Sequence, residues 1–187
     1  MKNLFAVLIA VLCAVSAQAQ TLTYTSGKSD IFKQEITFNV VFNDSNPIID
    51  GKNQNAEEFY NARSVQEYIN FVSDMEGAHP SFVTYYNEKR KGSIKSVIVI
   101  DDDAPYTLNV NVTTINVGNG GGMVFAMNAK SGGAVIHGTM SLVDNSSGET
   151  VCEMQFSGVK GMLGPKFSLR AISVYRYLAD ALLKSIK

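Results

Sequence analysis

Two hydrophobic rhythms share this chain, and their order constrains what it can build. Apolar residues recur at every second position around residues 36–42, 106–112, 135–143 and 150–156. They recur at three- and four-residue steps over residues 55–75 and 165–187. The first spacing marks strands with one buried face; the second marks helices with one apolar side. The resulting order is strand, helices, a block of strands and a closing helix. It has no regular βα alternation and no internal repeat. Such an order predicts an α+β fold: a two-layer sandwich with a mainly antiparallel or mixed sheet of about five to six strands and helices packed on one face.

The individual elements follow from local chemistry. Ile36, Phe38, Val40 and Phe42 form the first alternating run, and residues 43–55, with Asp-Ser-Asn-Pro and Asp-Gly, read as a turn-rich connection. Asn55 and Glu58 have the spacing of a capping box. Behind them Phe59, Ala62, Val65, Ile69, Val72 and Met75 predict one helix of about twenty residues, stopped by Gly77. Pro80 can open a second, shorter helix with Phe82, Tyr85 and Tyr86 facing inward and Lys89, Arg90 and Lys91 near its end. Residues 97–100 read as a strand buried on both faces. Tyr106, Leu108, Val110 and Val112 alternate, then past Thr114 the phase flips to Ile115 and Val117, which predicts a bulge or a strong twist. Residues 118–122 read as a glycine turn and residues 123–127 as a return strand. Residues 135–143 and 150–156 form a hairpin that puts Ile136, Met140 and Leu142 on one face with Cys152, Met154 and Phe156. The uncovered face of the sheet, with Thr107, Asn109, Asn111, Thr139, Ser141, Glu153 and Gln155, suits water. Pro165 starts the last helix, whose stripe is Phe167, Ala171, Val174, Leu178, Leu182 and Ile186; Lys166, Arg170, Arg176 and Lys184 lie off it.

The N-terminal residues have a different character. Lys2, an apolar run over residues 4–15 and Ala17-Gln18-Ala19 predict a secretory signal peptide over residues 1–19, too short for a membrane span. The expected organisation is a signal at 1–19, a flexible lead at 20–33 and a single α+β domain at 34–187. The expected location is outside the cytoplasm, in the periplasm or the extracellular medium. Without Lys2, 15 basic side chains face 17 acidic ones, so the chain exerts no general pull on nucleic acid or anionic lipid. No other stretch is apolar enough for a transmembrane span. Of two cysteines, Cys13 lies in the signal, where Leu12 replaces the small residue lipoprotein processing requires; Cys152 alone remains and forms no internal disulfide.

Several of these segments resemble a group of small exported proteins of unknown function from Gram-negative bacteria. The residues that carry the likeness are Phe42-Asn43-Asp44-Ser45, Asp50-Gly51 and Glu57-Glu58-Phe59-Tyr60 in one half. In the other they are the 141–149 hairpin, then Gly158, Gly161 and Gly164 before the closing helix. The pattern spans about residues 34–187. More distantly, the 144–149 hairpin and final helix are similar to the α+β domain of the curli-secretion lipoprotein family and the TolB N-terminal domain. The resemblance implies an envelope location and interaction work. The lipid-attachment cysteine typical of the curli family is missing, which argues against a membrane-tethered or pore-forming role.

Candidate chemistry is sparse. Asp101, Asp102 and Asp103 are candidate metal ligands, since hard cations take several oxygens; the competing reading is a solvated turn, because consecutive acids point apart. The 118–122 glycine run precedes strand-like residues and lacks the helix a phosphate loop needs. Gly158, Lys160, Gly161, Gly164 and Lys166 precede a helix start and are the candidate ligand-binding set, for an anion; the alternative is a tight chain path against the sheet. His79, His137 and Cys152 are too few and too scattered for zinc, and Cys152 falls on the core phase. No catalytic residue and no cofactor is assigned. The reading is an exported cell-envelope protein, non-catalytic, acting through contacts with itself or another envelope protein. The alternatives are a hydrolase with a site near residues 101–103 and His137, and a small-ligand carrier built from methionines and core aromatics.

Overall fold

The computed structural model describes residues 21–118 and 132–186. The signal at 1–19 and the return strand at 123–127 lie outside these residues. Among the described residues eight strands form one mixed sheet: β1 (Thr21–Ser26), β2 (Thr37–Asn43), β3 (Ile48–Ile49), β4 (Gln54–Asn55), β5 (Val97–Ile98), β6 (Tyr106–Asn116), β7 (Val135–Asp144) and β8 (Thr150–Lys160). Four helices accompany them: α1 (Ala56–Asn61), α2 (Val65–Glu76), α3 (His79–Lys89) and α4 (Phe167–Ser185). The order across the sheet is β1-β8-β7-β6-β2-β5. The strands from β1 to β6 pair antiparallel; β2 runs parallel to both β6 and β5, and β3 pairs parallel with β6 beyond the end of β2. The fold is α+β, with more strands than the five or six expected, because β3 and β4 are two residues each and leave no alternation to read.

The long strands carry the core. Leu108, Val110 and Val112 on β6, Met140 and Leu142 on β7, and Cys152, Met154 and Phe156 on β8 are all buried. Their register sets Leu142 opposite Cys152 and Met140 opposite Met154. Gly138 lies between Val112 and Phe156, and a Cβ there would stand 1.9 Å from the Asn111 carbonyl oxygen, so only glycine admits the strands so close. The phase flip in β6 is a bulge: Val112 faces Gly138, Thr114 faces His137, and Thr113 between them has no opposite number. Helices α3 and α4 pack against each other and against the sheet. Phe38 of β2 meets Tyr86 of α3 edge-on, with ring centres 5.6 Å apart. On α4, Ala171, Val174, Leu178 and Leu182 are buried as their spacing requires, and so is Ile186 just past its end.

Four expectations change. The lead at 20–33 contains β1 and a 3-10 turn at Ser29–Lys33, because threonine and tyrosine favour strands: Leu22 and Tyr24 pack on the core and Phe32 is wholly buried. The single helix over 55–75 is two helices. The Asn55–Glu58 capping box is present, but Ser64 accepts from the Glu67 amide at 3.1 Å and starts α2 afresh. Phe71 and Met75 then turn inward, while Val65 and Ile69 face out. The 97–100 segment is an edge: β5 ends at Ile98, and Ile100 is 92% exposed. Arg170 is buried on α4; its Nε donates to the Val117 carbonyl at 2.9 Å and its Nη1 to that of Gly164 at 2.6 Å.

Candidate functional site

Strand alternation puts every second residue of β1, β8, β7, β6 and β2 on the face away from the core. These residues form registered rows. Thr23, Gln155, Thr139, Asn111 and Asn43 stand side by side across five strands. The next row holds Glu153, Ser141, Asn109 and Val41. All of these positions are exposed or half-buried. Asn43 Nδ2 donates to Asn111 Oδ1 at 2.8 Å, and Ser26 Oγ to Glu153 Oε2 at 3.4 Å. The rows span about 20 Å at ordinary strand spacing. Glu153 is their only charge, so the surface offers neutral donors and acceptors.

A second feature lies at the far end of the sheet. Residues from β3, α1, β7, β8 and the end of β6 line a cleft of about 590 Å³. Lys52, Arg63 and Lys160 reach its walls, with Phe59, Tyr60 and Asp50. Asn116 Nδ2 donates to Asp50 Oδ2 at 3.1 Å. The Arg63 guanidinium sits 4.5 Å from the centre of the Phe59 ring. Gly118, Gly132 and Gly133 also line it, and Gly118 packs against the backbone of the other two.

The sequence candidates fall as follows. Lys160 lines this cleft. Gly161 presses on α4, where a Cβ would meet Ser173 Oγ at 2.5 Å. Gly158 has φ +65° in a β8 bulge, and Gly164 gives its carbonyl to Arg170. Lys166 is exposed at the N-cap of α4. The structure therefore does not gather the five residues around one point. Asp101, Asp102 and Asp103 are exposed. Asp101 Oδ1 accepts from the Asp103 amide at 3.0 Å, while Asn39 Nδ2 donates to Asp102 at 3.3 Å. Among the described residues, no three His, Cys, Asp or Glu side chains converge as a metal site would need.

The shared hydrolase site is corrected by strand length. The acidic turn precedes Tyr106 at one end of β6, while His137 pairs with Thr114 near the other. Eight residues of strand separate the two by about 26 Å. His137 Nδ1 accepts from the Gly158 amide at 3.2 Å and lies 3.0 Å from Ser157 Oγ. Cys152 is fully buried, and burial pushes its thiol up to about 11. Met75, Met140 and Met154 are packed into the core, and among the described residues no methionine lines the cleft.

One cluster escaped the sequence. Asp44, in the turn after β2, is 4% exposed. Its Oδ2 lies 2.7 Å from His79 Nε2 and accepts from the Tyr175 hydroxyl of α4. His79 stacks on Phe42 with ring centres 4.1 Å apart. Burial, then the neighbouring carboxylate, holds the Tyr175 hydroxyl far above the ordinary tyrosine range. The three groups are separated by 35 and 131 positions, so no spacing rule connects them. Among the described residues, no helix is long and apolar enough to cross a membrane.

No protein-family model and no curated protein matches the chain. Among solved structures, the chain is similar to the PelC dodecamer from Paraburkholderia phytofirmans, at 14% identity and TM-score 0.43, over 90% of this chain and 100% of that one. A point variant of the same dodecamer in another crystal form gives 14% identity and TM-score 0.36 over the same shares of the two chains. Likenesses this remote carry no function to this chain.

Proposed function

We propose that this protein is an exported, non-catalytic component of the cell envelope that works by contact, first of all with copies of itself. The supporting observation is the open sheet face. Five strands hold their outward residues in register, and that surface has Glu153 as the one charge of its rows, is rich in hydrogen-bonding groups and is covered by no helix among the described residues. A face with so few charges brings two copies together with little charge repulsion, and the rows supply matched donors and acceptors for a protein partner. The groups suited to catalysis are engaged elsewhere: Cys152 in the core, His79 on Asp44, His137 against the β8 bulge. The leader sequence supports export.

Sedimentation velocity of residues 20–187 tests the contact. Association that rises with concentration and is lost in Thr139→Arg supports it; a monomer throughout, with wild type and variant alike, overturns self-contact. Mass spectrometry of the protein from fractionated cells tests export. A chain beginning at Gln20 outside the cytosol is the expected result.

A further inference from the structure

We propose that the open edge of β2 binds an extended peptide of a partner protein, one that alternates apolar residues with Lys or Arg. Strand β5 covers only the start of that edge. It pairs with β2 at Thr37 and Phe38, and the Val99 amide donates to the Phe38 carbonyl at 3.0 Å just past its end. Strand β2 runs on beside β6 to Asn43, and no described strand flanks residues 39–43 on the outer side. The Ile36 and Phe38 carbonyls point outward to residues 97 and 99, so the period of two points the main-chain groups of Val40 and Phe42 the same way. The Asn39 side chain accepts from the Val40 amide at 2.8 Å. An incoming carbonyl takes that place, and the ladder of an added strand follows.

A groove of about 320 Å³ lies against this edge. Val40 and Phe42 share the core phase of Phe38, yet they are half-buried where Phe38 is wholly buried. Phe42 is still held firmly: it stacks on His79 and meets Phe82 and Tyr175 edge-on at 5.6 and 5.3 Å. Pro80 and Val83 of α3 form one wall, and Ile98 and Ile100 the other. Ile100 is the most exposed large apolar side chain of the described residues. A preformed apolar groove along an unpaired edge takes the alternate side chains of an added strand.

Charge selects the occupant. Glu76 lines the groove from the helix side. On the other face of the sheet Asp102 accepts from Asn39, with Asp101 and Asp103 beside it. Among the described residues no Lys or Arg lines the groove, and none of these acids forms an ion pair. The His79 ring is turned onto Asp44. A second copy presenting the same edge would set these acids against their equivalents, so a basic segment of another protein is the matching occupant. Its inward residues are apolar, and its outward ones are Lys or Arg facing Asp102.

The test is a two-dimensional NMR titration of ¹⁵N-labelled residues 20–187 with the synthetic peptide acetyl-KVKVKVK-amide, its acidic counterpart acetyl-EVEVEVE-amide and the reordered acetyl-KKKKVVV-amide. The alternating basic peptide shifts the Val40, Phe42 and Ile100 amides saturably, and each of the other two binds at least about tenfold more weakly. Ile100→Ser and Glu76→Gln, both at exposed positions, each weaken the basic peptide by about threefold or more while thermal unfolding is unchanged. No saturable shift at these amides overturns the site and leaves the acids as guards of a bare edge. Equal binding by the acidic peptide, or by both variants and wild type, overturns it as well. Thr139→Arg, which closes the sheet face to self-contact, binds the basic peptide as wild type does, since that face takes no part. Shifts of the same amides that grow with chain concentration in Thr139→Arg, without peptide, overturn the peptide and seat a second copy on the edge.

Discussion

The acidic turn at residues 101–103 and the lone acid Asp44 make an instructive pair. In the sequence the turn draws the eye, with three carboxylates in succession, while Asp44 is one polar residue in an Asn-Asp-Ser stretch. In the fold their ranks reverse. The turn settles its own hydrogen bonds locally and stays in water. Asp44 is buried and draws His79 and Tyr175 from α3 and α4 onto one oxygen. Convergence in space, not neighbourhood in sequence, gives a carboxylate structural weight, because a buried acid must find partners while an exposed one has water.

The comparison can be broken first at Asp44. Asp44→Ala strands the Tyr175 hydroxyl inside α4's packing, and urea unfolding is expected to show a loss of about 3–5 kcal/mol. A loss below about 1 kcal/mol would remove the contrast with the turn.

High pH offers a second, nearly as large lever. Burial pushes Tyr24 and Tyr86 up to about 12 and, with the neighbouring Asp44 carboxylate, holds Tyr175 well above the ordinary tyrosine range. A raised hydroxyl keeps its proton in the folded chain while the unfolded chain loses it. The stability from these tyrosines is therefore complete below about pH 10 and falls as pH rises toward 12. Tyr86, fully buried against Ser96 at 2.7 Å, accounts for roughly 2 kcal/mol of that fall. Unfolding midpoints measured from pH 8 to 12 should decline, and Tyr86→Phe should decline less steeply.

Tyr175→Phe sharpens the contrast further. It removes one donor from Asp44 but leaves His79, so the expected loss is about 2 kcal/mol. The smallest effect belongs to the turn: Asp102→Ala should change stability by less than about 0.5 kcal/mol. Calorimetric titration with calcium completes that comparison, since a heat of binding that vanishes in Asp102→Ala would give the turn the chemistry denied it here.

What the sequence disclosed follows the same division. The alternation in β6, β7 and β8 is a direct imprint of one wet and one dry face, so their pairing face and the Thr113 bulge were legible. The α4 stripe was legible for the equivalent helical reason. Local competition hid other features. Val65 and Ile69 continue an apolar rhythm across the α1–α2 break, but the Ser64 cap governs the chain there. Thr-rich β1 looked like a polar lead, although its partner, β8, makes it a strand. At the cleft, Lys160 was nameable because glycines surround it. Lys52 and Arg63 were not, since only the parallel placement of β3 against β6 brings them near.

That placement of β1 has a consequence for biosynthesis. Thr21 lies against Ser157, so β1 must wait for β8, the last in order of the described strands. A nascent chain leaves its opening strand without a template until β8 arrives, and such long-range closure makes folding slow. Vectorial delivery thus presents a solvent-exposed, threonine-rich ribbon until β8 follows it, and the sheet gains this border only then.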